Sequence, residues 1–144
     1  MRVRELMSTD LFVLYVDDNL LLAEEMMQLK RIRHVPVVDR EGHLQGLITH
    51  RDMLRASIST IAELSSGERR EVQASIRLRD IMRTQVLTIS PDADIKSAAR
   101  VMLDKKIGCL LVVAYCHLLG ILTEADFLKY VLAVVPERLG QDRG

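Results

Sequence analysis

Two strings of seven residues carry most of the chemistry this chain can offer. Gly46-Leu47-Ile48-Thr49-His50-Arg51-Asp52 and Gly120-Ile121-Leu122-Thr123-Glu124-Ala125-Asp126 share one pattern. Each runs glycine, two apolar residues, threonine, two variable positions and aspartate, then an apolar run. One reading is a capping box, in which the threonine caps a helix and the acid three residues on reaches back. The other uses the same geometry for a ligand. A helix N-terminus with a hydroxyl and free N–H groups suits a phosphate, and a carboxylate one turn in can accept both hydroxyls of a ribose. The glycine lets a ligand or a second backbone approach closely. Spacing alone leaves both readings open.

Other reactive types are sparse. His50-Arg51-Asp52-Met53 imitates a kinase catalytic loop, but no asparagine follows at the metal position, and a glycine-rich loop and DFG are missing. The histidines at 34, 43, 50 and 117 lack HExxH or i,i+4 spacing. His43 and His117 fall at matching turn positions and are expected in solvent, whereas His34 and His50 are expected near a ligand. Cys109 and Cys116 have no CxxC spacing, which suggests neither a disulfide framework nor a zinc site. Cys109 reads as a small buried hydrophobe, and the helix methionines read as core. With no nucleophile–base pair, paired acid or metal cluster, the expectation is a protein that is not an enzyme and needs no cofactor.

Composition narrows the class further. The 144 residues fit about one domain of roughly 100–200 residues. Hydrophobic residues at 49% and charged ones at 28% mark a globular protein. Basic and acidic residues balance at 20 each, so there is no excess charge for a polyanion, which argues against nucleic acid. Aromatics at 3% leave no stacking platform for single strands. Arg2, Arg4 and Glu5 interrupt any secretory signal, and a reducing, cytoplasmic setting is expected. The uncharged 17-residue stretch Ile107–Thr123 sits at the lower limit of a membrane span.

The elements that position the two strings come from a duplication. At an offset of about 75 residues, Val3–Met7 falls on Leu78–Met82, Asp17 on Asp92, Ala23 on Ala98 and Met27 on Met102. After one deletion the offset becomes 74, and His43–Leu54 falls on His117–Leu128. Only two copies of so long a unit mean a duplicated domain. The repeat also removes the membrane reading. In the first copy the equivalent stretch is broken by the turn Asp39-Arg40-Glu41-Gly42, so two buried strands and a turn are expected in both. Each copy reads as a short leading strand (Phe12–Leu14; Leu87–Ile89), a helix with Leu20, Ala23 and Met27 or Ile95, Ala98 and Met102 at helical spacing, two strands, and a second helix. The expected fold class is therefore α/β (α+β), two β-α-β-β-α units. Residues 1–58 form the first, 59–76 a polar connector that is partly helical at best, 77–135 the second, and 136–144 a frayed tail.

Taken in order, RELM and RDIM, LTISPDADI, HVPVVD and the two glycine–threonine–aspartate strings resemble a tandem pair of CBS domains, a Bateman module. The resemblance spans about Arg4 to Leu132. It implies two units packed sheet to sheet about a pseudo-two-fold axis, with adenosine-containing ligands in two clefts between them. It also implies crossed sites. The first cleft would use Thr49, His50, Arg51 and Asp52 with Thr88, Ile89, Pro91, Cys109 and Leu110. The second would use Thr123 and Asp126 with Val13, Leu14, Tyr15, Arg33, His34, Val35 and Pro36. The expected function is a regulatory module that binds AMP, ADP or ATP and signals to an unidentified partner protein, with no nucleic acid and no membrane. Alternatives are an S-adenosylmethionine sensor or a constitutive dimerisation module with empty clefts. Glu124, where the first copy has His50, places a negative charge at the second phosphate position, so a phosphorylated ligand is expected in the first cleft. Apolar helix faces on Leu20–Leu29 with Met53–Ile58, and on Ile95–Leu103 with Phe127–Val135, predict a homodimer.

Overall fold

The two glycine–threonine–aspartate strings form the last strand of each sheet and the start of the helix that follows. A computed structural model describes residues 1–61 and 65–138, with no side-chain account of 57–61. The first half contains α1 (Val3–Leu6), β1 (Leu14–Tyr15), α2 (Leu20–Lys30), β2 (His34–Val38), β3 (Leu44–Thr49) and α3 (His50–Ile61). After α4 (Ser66–Ser75), the second half repeats the order as α5 (Leu78–Ile81), β4 (Thr88–Ile89), α6 (Ile95–Lys105), β5 (Cys109–Ala114), β6 (His117–Thr123) and α7 (Glu124–Val134).

Duplication extends to details. Each sheet has three strands, with the short leading strand parallel to the middle one and the hairpin antiparallel. Each hairpin carries a register shift at the same place, Val37/Val38 and Val112/Val113. Asn19 caps α2 by accepting from the Leu22 N–H at 2.9 Å, and Asp94 caps α6 by accepting from Lys96 at 3.2 Å. Both helices end on a left-handed cation, Arg31 and Lys106, each at φ 55°. The uncharged stretch Ile107–Thr123 is a hairpin whose turn places Tyr115 and Cys116 at positive φ, the geometry of a two-residue connection. Among the described residues no helix is long and apolar enough to cross a membrane.

Packing crosses between the halves. Val3 of α1 is fully buried with Ala98, Met102, Leu110, Val112 and Leu122 of the second half. Leu78 of α5 is fully buried with Leu14, Leu20, Val35, Val37 and Ile48 of the first. Backbone bonds hold the exchange: Val3 N–H donates to Ala93 O at 2.8 Å, and Leu78 N–H to Asp18 O at 2.8 Å. The segments after these helices add one reciprocal bridge each, Ser8 with Ile121 and Arg83 with Leu47. A third cluster joins the sheets, with Leu47, Cys109 and Leu111 against Leu44, Val86, Val113, Leu118 and Ile121. Two sheets packed across a pseudo-two-fold axis are the result.

The connector departs from expectation. Ser65 accepts from the Glu68 N–H at 3.3 Å and starts ten helical residues, while α3 runs on to Ile61. The helix α4 lies against α2, with buried Gln73 donating to Glu24 and Arg70 paired to Glu25 at 3.3 Å. Its polarity reflects these polar contacts with α2 rather than a loop. Residues 62–64 of the connector and 139–144 of the tail lie outside the described residues, and 136–138 have no regular structure.

Candidate functional site

A cavity of about 700 Å³ opens where the two halves meet, within the range of small-molecule sites. The first half contributes Arg33 and His34 from the start of β2, Leu47 and Thr49 from β3, and His50, Arg51 and Leu54 from α3. The second contributes Arg83, Gln85, Val86 and Leu87 ahead of β4, Lys106, Ile107 and Gly108 ahead of β5, then Cys109, Leu111 and Glu124. The strand-to-helix junctions are pinned alike on both sides. His50 N–H donates to Arg33 O at 2.9 Å and Glu124 N–H to Gly108 O at 3.3 Å. Two helices of 12 and 11 residues therefore begin at the cavity wall with the positive ends of their dipoles.

Among the described residues, the basic groups of the wall, Arg33, Arg51, Arg83, His34, His50 and Lys106, face one acid, Glu124. In a chain of balanced charge this is a local concentration of positive potential. Burial pushes the His34 imidazole below its ordinary value; the nearby Glu124 opposes this and Arg33 adds to it. Leu47, Val86, Cys109 and Leu111 supply an apolar side. Burial alone pushes the Cys109 thiol up to about 11, so it lines the cavity as a neutral group.

Both aspartates of the repeated string are committed to protein partners. Asp126 accepts from the Thr123 N–H at 2.9 Å and hydroxyl at 3.2 Å, and from the Ser8 hydroxyl at 3.0 Å. Thr49 Oγ1 accepts from the Asp52 N–H at 3.1 Å. The Asp52 carboxylate receives both arms of the Arg83 guanidinium, Nε to Oδ2 and Nη2 to Oδ1, each at 2.8 Å. Burial raises the Asp52 carboxyl, but hydrogen bonds from Arg83 and Thr49 and the Arg83 charge outweigh it and hold the group below the usual range. The capping reading is thus realised in both copies. The glycines serve the second backbone: a Cβ on Gly46 would lie 2.6 Å from Arg83 O, and one on Gly120 would lie 2.9 Å from Ser8 O.

Residues expected in two clefts stand as follows around the cavity. Thr49, His50, Arg51 and Cys109 from the first and Arg33 and His34 from the second line one cavity. Asp52 stands behind Arg83. Thr88, Ile89, Pro91 and Leu110 do not line it: Thr88 pairs with Leu111 on the sheet edge, Ile89 packs on the second core, Pro91 O accepts from Arg4, and Leu110 is fully buried in that core. Thr123 and Asp126 belong to the α7 cap and also stand outside it. Leu14 and Val35 are core, Pro36 is buried in β2, Val13 is half-buried, and Tyr15 lies under the Arg40 guanidinium at 4.7 Å. Arg83, Lys106 and residues 85–87 were not legible as site residues. For Arg83 the signal was a break in the repeat, arginine where the first copy has Ser8.

Among the described residues, Asp39, Glu41 and His43 are the group whose ligating atoms could hold a metal ion. They form the β2–β3 turn, where Asp39 Oδ1 accepts from the Glu41 and His43 N–H groups at 2.9 Å each.

Comparison with known proteins follows the same lines. The CBS domain family model matches twice, over residues 3–59 and 78–133. A CBS domain-containing protein of Dictyostelium discoideum is 31% identical, with 92% of each chain covered. A putative acetoin utilization protein of Vibrio cholerae superposes with a TM-score of 0.81 at 32% identity, covering 92% of this chain and 91% of that one. CBSX2, whose structure was solved in complex with AMP, is 25% identical with a TM-score of 0.78, covering 92% and 97%. With its unit present twice and the sheets packed as pairs, the chain belongs to the CBS domain family, as a tandem CBS pair.

Proposed function

We propose that this protein is a non-catalytic regulatory module that binds an adenine nucleotide, AMP, ADP or ATP, in the basic cavity and passes its occupancy to a partner protein. The observation that carries the reading is the wall itself, which combines six basic side chains and two helix N-termini with the apolar cluster of Leu47, Val86, Cys109 and Leu111. Basic groups and helix ends suit phosphate oxygens, and the apolar side suits a base. The AMP found with CBSX2 supports the same ligand class. Because wall residues come from both halves, a ligand that favours one arrangement of the pair shifts its population, which is how occupancy reaches an outer surface. The free thiols Cys109 and Cys116 suit a reducing, cytoplasmic setting.

A second reading, a constitutive dimerisation module, is favoured by a different observation. Both Asp52 and Asp126 already have protein partners. Calorimetric titration and thermal melting with AMP, ADP, ATP and S-adenosylmethionine separate the two. Binding to the folded state alone stabilises by about 2.7 kcal/mol at a hundredfold excess over Kd, so a nucleotide should raise Tm. Failure of all four to bind selects the dimerisation module, and tighter binding of S-adenosylmethionine makes the module a sensor of that ligand.

A further inference from the structure

Arg83 lines the cavity at a position where the first copy of the repeat has Ser8. Its backbone is fixed by two bonds to Leu47, N–H to O and O to N–H, each 2.9 Å. From that base its side chain reaches Asp52 with two parallel bonds, the strongest geometry a guanidinium makes with a carboxylate. The Arg83 side chain is 51% exposed and lines the cavity, whereas the Asp52 side chain is 12% exposed and does not. The carboxylate is therefore screened from the cavity by the arginine. At the equivalent place in the other copy, Ser8 offers Asp126 one neutral hydroxyl.

We propose that Arg83 sets the charge of the ligand this cavity accepts: it shields Asp52 when the cavity is empty, and gives way only to a ligand that brings both hydroxyls for the carboxylate and an anionic group for the guanidinium. The inference rests on the nucleotide reading above and names the residue that decides among adenosine derivatives. A neutral nucleoside that displaces Arg83 satisfies Asp52 but leaves the guanidinium without its carboxylate. A nucleotide replaces that carboxylate by a phosphate, which the same planar fork binds equally well. Discrimination follows from this exchange, because the phosphate of a nucleotide restores the charge-assisted pair that a nucleoside leaves to water. The other cationic wall groups, Arg33, Arg51 and Lys106, attract any anion but do not cover Asp52.

The test compares AMP with adenosine by calorimetry on the full chain and on Arg83→Ser, which installs the residue found at the symmetric position. Arg83→Gln is the second variant, keeping length without charge, and the melting curve of each confirms its fold. The expected result is an AMP-to-adenosine affinity ratio that falls at least about tenfold, the scale of a lost charge-assisted hydrogen bond, with adenosine binding unchanged or tighter. A merely structural Arg83 would weaken both ligands together and leave the ratio intact, and that outcome overturns the proposal while the nucleotide reading stands. If the unaltered chain binds none of AMP, ADP, ATP and adenosine, the nucleotide reading fails and takes this one with it; if it binds ADP or ATP but not AMP, the same ratio is read with that nucleotide in place of AMP.

Discussion

Asp52 is subject to two opposed forces, and the balance makes a pH prediction. Burial favours its neutral form, but the Arg83 and Thr49 bonds favour the carboxylate more, so the folded pKa lies below the unfolded one. A depressed carboxyl contributes stability that is fully present above its unfolded value, about 3.9, and is lost as the pH falls through the lower folded value. Asp52→Asn should therefore cost stability at neutral pH, about 1 kcal/mol, a low figure because the half-exposed guanidinium is screened by solvent. The difference from the unaltered protein should shrink below about pH 4 as the carboxyl protonates. Urea titrations over a pH series measure it, and a difference that grows in acid would contradict the assignment. The thiols give a second residue-scale prediction. Cys116 is exposed, while Cys109 is buried with its thiol pushed up to about 11. An alkylating reagent at about pH 7.5 should modify Cys116 in the native protein and both cysteines in denaturant, read by mass spectrometry.

At the scale of elements, the exchanged segments explain what the repeated glycines do. Gly46 faces Arg83 O and the Met82 side chain, and the facing backbone is held by reciprocal bonds that keep it from retreating. Gly46→Ala should destabilise by about 1–3 kcal/mol through overpacking. A methyl added at Gly67, near the start of α4, would meet nothing within 4 Å. Gly67→Ala should therefore be neutral or stabilising by up to about 1 kcal/mol. Chemical denaturation of both variants checks the contrast. Equal effects would mean that the glycines matter for chain entropy alone and not for the close approach. The same crossing explains why neither half completes its own core: Val3 fills the second and Leu78 the first.

Across the whole molecule, the apolar side chains left outside concentrate on helices. Leu29 of α2, Leu103 of α6 and Leu128 and Leu132 of α7 are 73%, 78%, 65% and 77% exposed. Large exposed apolar patches mark interaction surfaces, and a chain with an internal pseudo-two-fold offers similar faces to a second copy. We expect a homodimer through these helices, the closed arrangement most oligomers adopt. Sedimentation at tens of micromolar should show it, and Leu132→Glu should shift the protein toward monomer without lowering its melting temperature at high dilution. A monomer across that concentration range would rule the interface out.

Much of the architecture is local, and so the sequence by itself determined it. Two copies at an offset of about 75, helix caps at Asn19 and Asp94, and alternation from strand to helix at Thr49 and Thr123 are written in residues close along the chain. The resemblance of those strings to CBS domains named the family before any contact was known. Three things depended on contacts between residues far apart. The exchange of α1 and α5 matches equally apolar surfaces in both halves, so periodicity cannot say which half each helix joins. The helical connector owes its placement to α2, where Gln73 is buried against Glu24 and Arg70 pairs with Glu25, contacts that no local pattern announces. The site was half legible: Thr49, His50 and Arg51 are announced by their motif, whereas Arg83 and Lys106 become wall residues only because folding brings them from the second half of the chain to the cavity where α3 begins. Charge at a binding site is a sum over neighbours in space, and that sum is fixed only when the two sheets meet.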